Sequence, residues 1–274
     1  MSQDTTVLVC CHKKDYWYDG PGFLPIQVGK ALSNIDLGIQ GDNTGDNISS
    51  KNPNYCELTA HYWYWKNGNK TKYIGLCHYR RYFSFELSLP FPRSLLNINE
   101  SQIKTCPPIL PDLDFVFEDC DIILAKPYNT PFSLETEYKV AHIANDLQIL
   151  RNVIADKYSI CLPVFDELMK YNNKLSAYNM FITKNSTFEE YSNWLFDILF
   201  EVERRVKISS YADQARIFGY MSERLLNVFV RYKKLRVTQM PVIKIDESPN
   251  IDYYKILLCY LRNELSARLT YSRK

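Results

Sequence analysis

The chain has 274 residues, 46% apolar and 23% charged, and a net charge of +2. That balance excludes a disordered or collagen-like chain and is long enough to bury a core without disulfide staples. No apolar run is long enough to span a bilayer, and nine glycines argue against a glycine-rich phosphate loop. The net charge hides an asymmetry. From Arg224 to Lys274 there are 11 Lys and Arg against 4 Asp and Glu, a net of +7 that leaves −5 for the rest. A basic C-terminal fifth suits a phosphate, a membrane surface or a nucleic acid, or else is a solvated helix face.

In chain order, Thr5–Cys11 (TTVLVCC) reads as a buried first strand ending in His12-Lys13-Lys14. Gly20-Pro21-Gly22 marks a loop, and Pro25–Leu32 reads as a short helix. Ile39–Asn54 is a polar, turn-rich segment, and Tyr55–Asn67 has helical periodicity. Lys72–Cys77 is a second strand running into His78-Tyr79-Arg80-Arg81-Tyr82, and a proline-rich stretch spans Leu89–Pro111. Cys120–Ala125 is a third strand; Glu137–Tyr158 and Leu162–Tyr171 are helices; Tyr178–Thr183 is a fourth strand. Thr187–Val206 and Asp213–Tyr232 are helices, Leu235–Ile245 a last strand, and Tyr254–Leu269 a closing amphipathic helix. Short apolar strands alternating with helices predict an α/β fold with a mostly parallel central sheet, whose ligands bind at the carboxyl ends of the strands.

The eight cysteines form no C-x-x-C pair, and the first residues lack the pattern of a secretory leader. Buried, reduced thiols and a cytoplasmic location are therefore expected. No P-loop, dinucleotide fingerprint, nucleophile elbow or H-E-x-x-H motif occurs, and His12, His61, His78 and His142 lack zinc-ligand spacing. What remains is the polar residues at strand ends. If the first two strands are parallel neighbours, His12 and Lys13 meet His78, Tyr79, Arg80 and Arg81 on one rim and form an anion clamp. The alternative is an exposed loop with a structural arginine–carboxylate pair. In the Asp42–Asn54 loop, Asp46, Asn47, Ser49 and Asn52 either read the hydroxyls of a polar ligand or build local turns. Two D-x-D triplets, Asp112–Asp114 and Asp119–Asp121, are weak candidates for a divalent cation. Asp213 is either a helix cap or a general base, and Glu223 with Arg224 is either a buried pair or faces the ligand.

Several runs also carry a resemblance: Asp42–Ser49, Tyr55–Thr59, Trp65–Asn67, Gly75–Phe83, Asn179–Ile182, Trp194–Leu199 and Arg216–Leu226. In that order they resemble a bacterial family from capsule, O-antigen and exopolysaccharide gene clusters, long labelled only as a domain of unknown function. The resemblance covers residues 5–245. It implies a GT-A-like glycosyltransferase using a nucleotide sugar, UDP-linked and galactofuranosyl or galactosyl, to extend a glycan or lipid-linked glycan. Residues 1–245 would form that domain, and 246–274 a basic amphipathic helix packed on it and resting on the anionic inner face of the cell membrane.

On this reading His12, Lys13, Asp42, Asp46, Asn47, Ser49, Asn52, Glu57, Tyr79, Arg80 and Arg81 hold the donor. Asp213 or Glu223, with His78, supplies catalysis, and His142, Asp146, Asn179, Gln214 and Arg216 hold the acceptor. Where the family fold normally carries D-x-D, the second strand here ends in His-Tyr-Arg-Arg. Arginines would then neutralise the diphosphate, and Mn²⁺ or Mg²⁺ is an option that would fall to Asp119 and Asp121. The alternative from another class is a noncatalytic glycan-binding component of an assembly complex. Nucleic acid is not an expected partner, because no aromatic residues interleave with the basic tail in a recognisable motif.

Overall fold

The computed structural model describes residues 4–86, 94–246 and 253–271. The amino half builds β1 (Thr5–Cys11), β2 (Phe23–Gln27), β3 (Gln40–Gly41), α1 (Asn52–Tyr55), α2 (Leu58–Asn67), β4 (Tyr73–His78), β5 (Arg81–Phe83) and β6 (Leu95–Ile98). The middle builds α3 (Glu100–Thr105), α4 (Leu113–Asp119), β7 (Ile122–Ala125), β8 (Tyr128–Asn129), α5 (Leu134–Ala141), α6 (Ala144–Lys157), α7 (Leu162–Tyr171), β9 (Lys174–Leu175) and β10 (Phe181–Lys184). The remainder builds α8 (Asn185–Arg205), α9 (Ala212–Ala215), α10 (Ile217–Tyr232), β11 (Val237–Met240), β12 (Val242–Ile245) and α11 (Tyr253–Tyr271).

The central sheet runs β11-β7-β10-β4-β1-β2-β3, with β5, β12 and β6 forming a flange off β4. All neighbours along that order are parallel except β10, which lies antiparallel between β7 and β4. The expected mostly parallel sheet flanked by helices is the observed one. Its strands alternate between two cores. Leu8 and Cys10 of β1 face the layer formed by α2, α6, α8 and α10; Val7, Val9 and Cys11 face the flange strands with α3 and α4. Covered on both faces, β1 reads as a continuous apolar run. Each fully buried Val or Leu contributes about 1.5–3 kcal/mol, so the sheet centre is fixed and its rim is free to carry chemistry. Gly75 of β4 is required by close approach, since a Cβ there would stand 2.7 Å from the Phe181 carbonyl oxygen of β10.

Four expectations are corrected. Pro25–Leu32 is not a helix: Phe23–Gln27 is a strand pairing β1, followed by a single 3₁₀ turn at Lys30–Leu32. Proline is tolerated because β3 pairs only with Ile26 and Gln27, which leaves Pro25 on an open edge. The Glu137–Tyr158 helix is two helices, broken by extended backbone at His142 and Ile143. The Asp213–Tyr232 helix breaks at Arg216, and the Leu235–Ile245 strand breaks at Pro241, sending β11 to the main sheet and β12 to the flange. Of the eight free cysteines, Cys106 and Cys259 are exposed and Cys56 is partly so. The proline-rich segment lies partly outside the described residues.

Among the described residues no helix is long and apolar enough to cross a membrane. The C-terminal α11 docks on the short β8–β9 pair through hydrogen bonds between Asn263 and the Asn129 carbonyl and between Asn129 and the Tyr260 carbonyl.

Candidate active site

A cleft of about 690 Å³ opens at the carboxyl ends of β1 and β4. The two strands are parallel neighbours with Cys10 beside His78, so the two polar clusters do meet on one rim. His12, His78, Tyr79, Arg80 and Arg81 line the floor. Asn52, Cys56 and Glu57 from the α1–α2 junction, Tyr178, Arg216, Glu223 and Lys244 line the walls.

The cations are not equivalent. Arg80 points both Nε (3.0 Å) and Nη2 (2.6 Å) at one oxygen of Asp15, and Lys13 lies 3.5 Å from the same carboxylate at the rim. Arg81 has no carboxylate partner among the described residues. Its guanidinium lies 4.8 Å from the centre of the Tyr178 ring, and its Nε is buried without a hydrogen-bond partner. A buried unpaired donor of this kind costs about 1–3 kcal/mol, which makes it a candidate for contact with a ligand. Arg216 donates from Nε to the Cys56 thiol at 3.4 Å. Lys244 is paired with Asp246 at 2.7 Å. Desolvation lowers the pKa of His12, and Lys13, His78, Arg216 and Arg80 lower it further. His78 is also pushed down, chiefly by burial, while Glu57 pulls it up. Its Nε2 lies 2.7 Å from the Tyr178 carbonyl oxygen, so the neutral ring donates there.

The carboxylates of the cleft are Glu57 and Glu223. Glu57 accepts from Asn179 Nδ2 at 2.6 Å. Glu223 accepts from the Tyr178 backbone N–H at 2.8 Å and from Arg224 at 3.2 Å. Burial raises the Glu223 pKa, which Arg224 opposes. Arg224 is 2% exposed and is also paired with Glu137 at 2.5 Å, which fixes the wall from behind.

Tyr178 therefore touches His78, Arg81 and Glu223, and its neighbour Asn179 touches Glu57. Both hold positive φ, 71° and 52°. Left-handed backbone is tolerated by asparagine but unusual for tyrosine. The third such residue of the cleft is Cys56, at φ 52° and ψ −131°. Strain gathered at one cleft is held by its surroundings and points to function there. Topology brings the turn to this place. β10 is antiparallel, so the residues just before it lie beside the carboxyl end of β4, where Phe181 pairs with Leu76.

The structure brings nine of the residues proposed from the sequence into this cleft and places the rest elsewhere. Asp42 is fully buried and accepts from Gly29 N at 2.8 Å, Lys30 N at 3.0 Å and the Ser49 hydroxyl. Ser49 in turn accepts from Ala31 N, so both brace the loop. Asp46 accepts from Tyr62, and Asn47 caps its own turn. Asn52 lines the cleft, yet its amide is committed to the Cys56 carbonyl and Thr59. Asp213 is exposed and does not line the cleft, unlike its neighbours Ala212 and Ala215. Gln214 donates to the Ala141 carbonyl. His142 stacks 4.0 Å from Tyr220, with its pKa pushed down to about 4 by burial and then by Arg224. Asp146 is buried in the first turn of α6, where desolvation raises its pKa. Asn179 sits behind Glu57 and positions it.

The D-x-D candidates lie at the wrong edge of the sheet. Ile122 pairs with Thr183, which pairs with Ile74, so Asp119 and Asp121 stand near the amino end of β4, away from the cleft. Asp121 is occupied by Arg236, and Asp114 by Lys72 and Tyr73. Among the described residues no group of three His, Cys, Asp or Glu is arranged to hold a metal ion. Glu57 and Glu223, set among cations, do not form such a ligand set. Tyr178, Cys56, Asp15 and Lys244 were missed. Only Asp15, an acid three residues beyond His12, left a signal in the sequence.

An α/β domain with a cationic cleft at the carboxyl edge of its sheet is thus the class defined by fold and site. The chain belongs to the family described as Domain of unknown function (DUF4422), whose model matches residues 6–234. It is similar to a solved structure, the WbbM bifunctional glycosyltransferase in its apo form, with TM-score 0.82 and 29% identity. The similarity covers 89% of this chain and 46% of that one, so the chain spans about half the length of the protein it matches. No curated protein matches it.

Proposed function

We propose that the chain is a glycosyltransferase that moves a hexosyl group from a UDP-linked nucleotide sugar to a glycan acceptor in surface-polysaccharide synthesis. Galactofuranose or galactose is the sugar favoured by the family resemblance. One observation carries the reading: Arg81, with a buried donor lacking a partner, faces a cleft where Arg216 and His12 converge at the ends of adjacent parallel strands. That arrangement suits a diphosphate. The similarity to a bifunctional glycosyltransferase supports it, and the cleft volume falls within the range for small-molecule sites.

In the proposed mechanism Arg81, Arg216 and His12 hold the diphosphate, with Arg80 positioned by Asp15. These groups are preorganised toward the charge that grows on the leaving nucleoside diphosphate as the sugar C1–O bond breaks. Glu223 takes the proton of the acceptor hydroxyl. Asp213, the other base suggested by the sequence, lies outside the cleft lining, whereas Glu223 lines it and burial raises its pKa toward the working range of a general base. Asn179 and Tyr178 hold Glu57 and His78 in place around the transferred sugar.

The test is thermal unfolding with UDP, GDP, CMP or no ligand, each with Mn²⁺ and with EDTA. A native-state ligand raises the midpoint by mass action. A rise with UDP that survives EDTA supports a metal-independent UDP-sugar transferase. A rise that needs Mn²⁺ keeps the transferase and rejects the arginines as sufficient. No rise with any nucleotide, together with a rise on adding glycan, overturns the reading in favour of a noncatalytic glycan-binding protein.

A further inference from the structure

A helix that packs on a globular body turns its apolar stripe inward. The C-terminal α11 leaves an apolar stripe on its outer side. Tyr254, Leu258, Leu261, Leu265 and Leu269 are between 52% and 73% exposed. At the angular step of an α-helix they fall within an arc of about 80°. Its inner side is held by polar contacts beside an apolar groove: Asn263 and the Tyr260 carbonyl bond to Asn129, Glu264 bonds Asn129 and pairs with Lys174 at 3.6 Å, and Ile256 and Cys259 line the groove with Leu95 and Pro127. The helix is therefore fastened by hydrogen bonds on one side, while Leu258, Leu261, Leu265 and Leu269 are left outside.

Cations border the stripe. Lys255 and Arg262 lie on one flank, both exposed, and Arg268 lies on the other. The acid of the described helix, Glu264, is on the docked side. Within α11 three cations, Lys255, Arg262 and Arg268, stand against the single acid Glu264, a net of +2.

We infer that α11 is a membrane-surface anchor whose leucine stripe enters the headgroup boundary of a bilayer rich in anionic lipid. Three features select that occupant. Among the described residues the helix is not long and apolar enough to cross a membrane, so membrane contact would place it in the plane of the surface. Leucine with flanking lysine and arginine is the pattern of an in-plane amphipathic helix, which adds apolar burial to attraction for anionic lipid. A second copy of the same helix would face cations with cations, where coiled-coil partners place opposite charges. The helix also sits beside the candidate active site. Tyr128 lines the groove of about 440 Å³ beneath α11, and its phenol is close enough to Glu137 and Glu223 for their charges to raise its pKa, after burial. Anchoring through α11 would hold the Glu223 wall near the lipid surface.

The test is co-sedimentation of the full chain with vesicles of phosphatidylcholine alone or with roughly a third phosphatidylglycerol, at low and high salt. The expected result is at least tenfold stronger partitioning on the anionic vesicles, weakened by salt. Leu258→Glu with Leu265→Glu should lower that partitioning at least tenfold. Lys255→Gln with Arg262→Gln should remove most of the preference for anionic lipid. The unfolding midpoint of the cation variant checks that folding is intact, and both side chains are exposed. Equal or absent binding to the anionic vesicles overturns the inference, as does unchanged binding by both variants. A concentration-dependent dimer in light scattering that the leucine variant dissolves also overturns it, because the stripe is then a protein interface.

Discussion

Two segments of this chain carry dense polar sequence, and only one is left open. In Asp42–Asn54 the side chains satisfy one another and the nearby backbone: Asp42 takes three donors, Ser49 two partners, and Asp46 and Asn47 their own local bonds. In His78–Arg81 the groups lie on a strand end facing a cleft, with Arg81 Nε buried and unpaired. The same residue chemistry therefore braces a loop in one place and confronts a ligand in the other. What separates them is where the hydrogen bonds go, since a buried polar group without a partner is the exception in folded proteins.

The largest test of that contrast is Arg81→Ala. Removing one preorganised donor from a developing anion costs about a hundredfold to a thousandfold in turnover. We expect that loss with the unfolding midpoint unchanged or raised, because the substitution also removes a buried unpaired group. Arg80→Ala should cost less, as its charge is already balanced by Asp15. If the two variants lose turnover equally, the distinction between a committed and an open arginine fails. Arg81→Lys should rescue only part, since an ammonium cannot reproduce the planar fork.

The complementary test is Asp42→Ala. It strands the Gly29 and Lys30 N–H groups and the Ser49 hydroxyl, and should lower unfolding free energy by about 2 kcal/mol. Turnover per folded molecule should stay within about threefold of the parent. Denaturant titration and a transfer assay on the folded fraction read the two quantities separately. Unchanged stability with lost donor affinity would return the loop to the site, as its sequence first suggested.

How far the fold was legible follows from the same physics. β1, β4, β7 and β10 announced themselves as short apolar runs because they are covered on both faces. The meeting of His12 with His78 needed only one assumption, that β1 and β4 are parallel neighbours. The rest depended on long-range geometry. Nothing local says that β10 is inverted, and that inversion alone delivers Tyr178 and Asn179 to the cleft. The helical pattern across Asp213–Tyr232 concealed the break at Arg216 that places its guanidinium on the cleft wall. The D-x-D at Asp119–Asp121 looked plausible until the register set it at the opposite edge of the sheet. Positive φ at a tyrosine is imposed by tertiary contacts, so no propensity anticipates it.

The smallest expected effect is a pH dependence that sharpens which floor group meets the ligand. His12 is held below its ordinary value of 6.5, by desolvation and then by Lys13, His78, Arg216 and Arg80, so it is neutral at pH 7.5. A nucleotide sugar carries a diphosphate diester that does not itself titrate near neutrality. Placed beside His12, its negative charge offsets the cations and favours the imidazolium, so binding takes up a proton. Linkage then requires affinity to rise as pH falls. Between pH 7.5 and 5.5 we expect about a threefold to fivefold gain for UDP-hexose in calorimetry, a size set by partial uptake of one proton. Glu223, with its raised pKa, would push the same way, because protonating it also removes negative charge from the cleft. His78 is already tied to the Tyr178 carbonyl. The histidine's share is the part of the slope that disappears in His12→Asn and persists in Glu223→Gln. If His12→Asn keeps the full slope, the diphosphate does not sit on the β1 end, and the donor pose must shift toward Glu223.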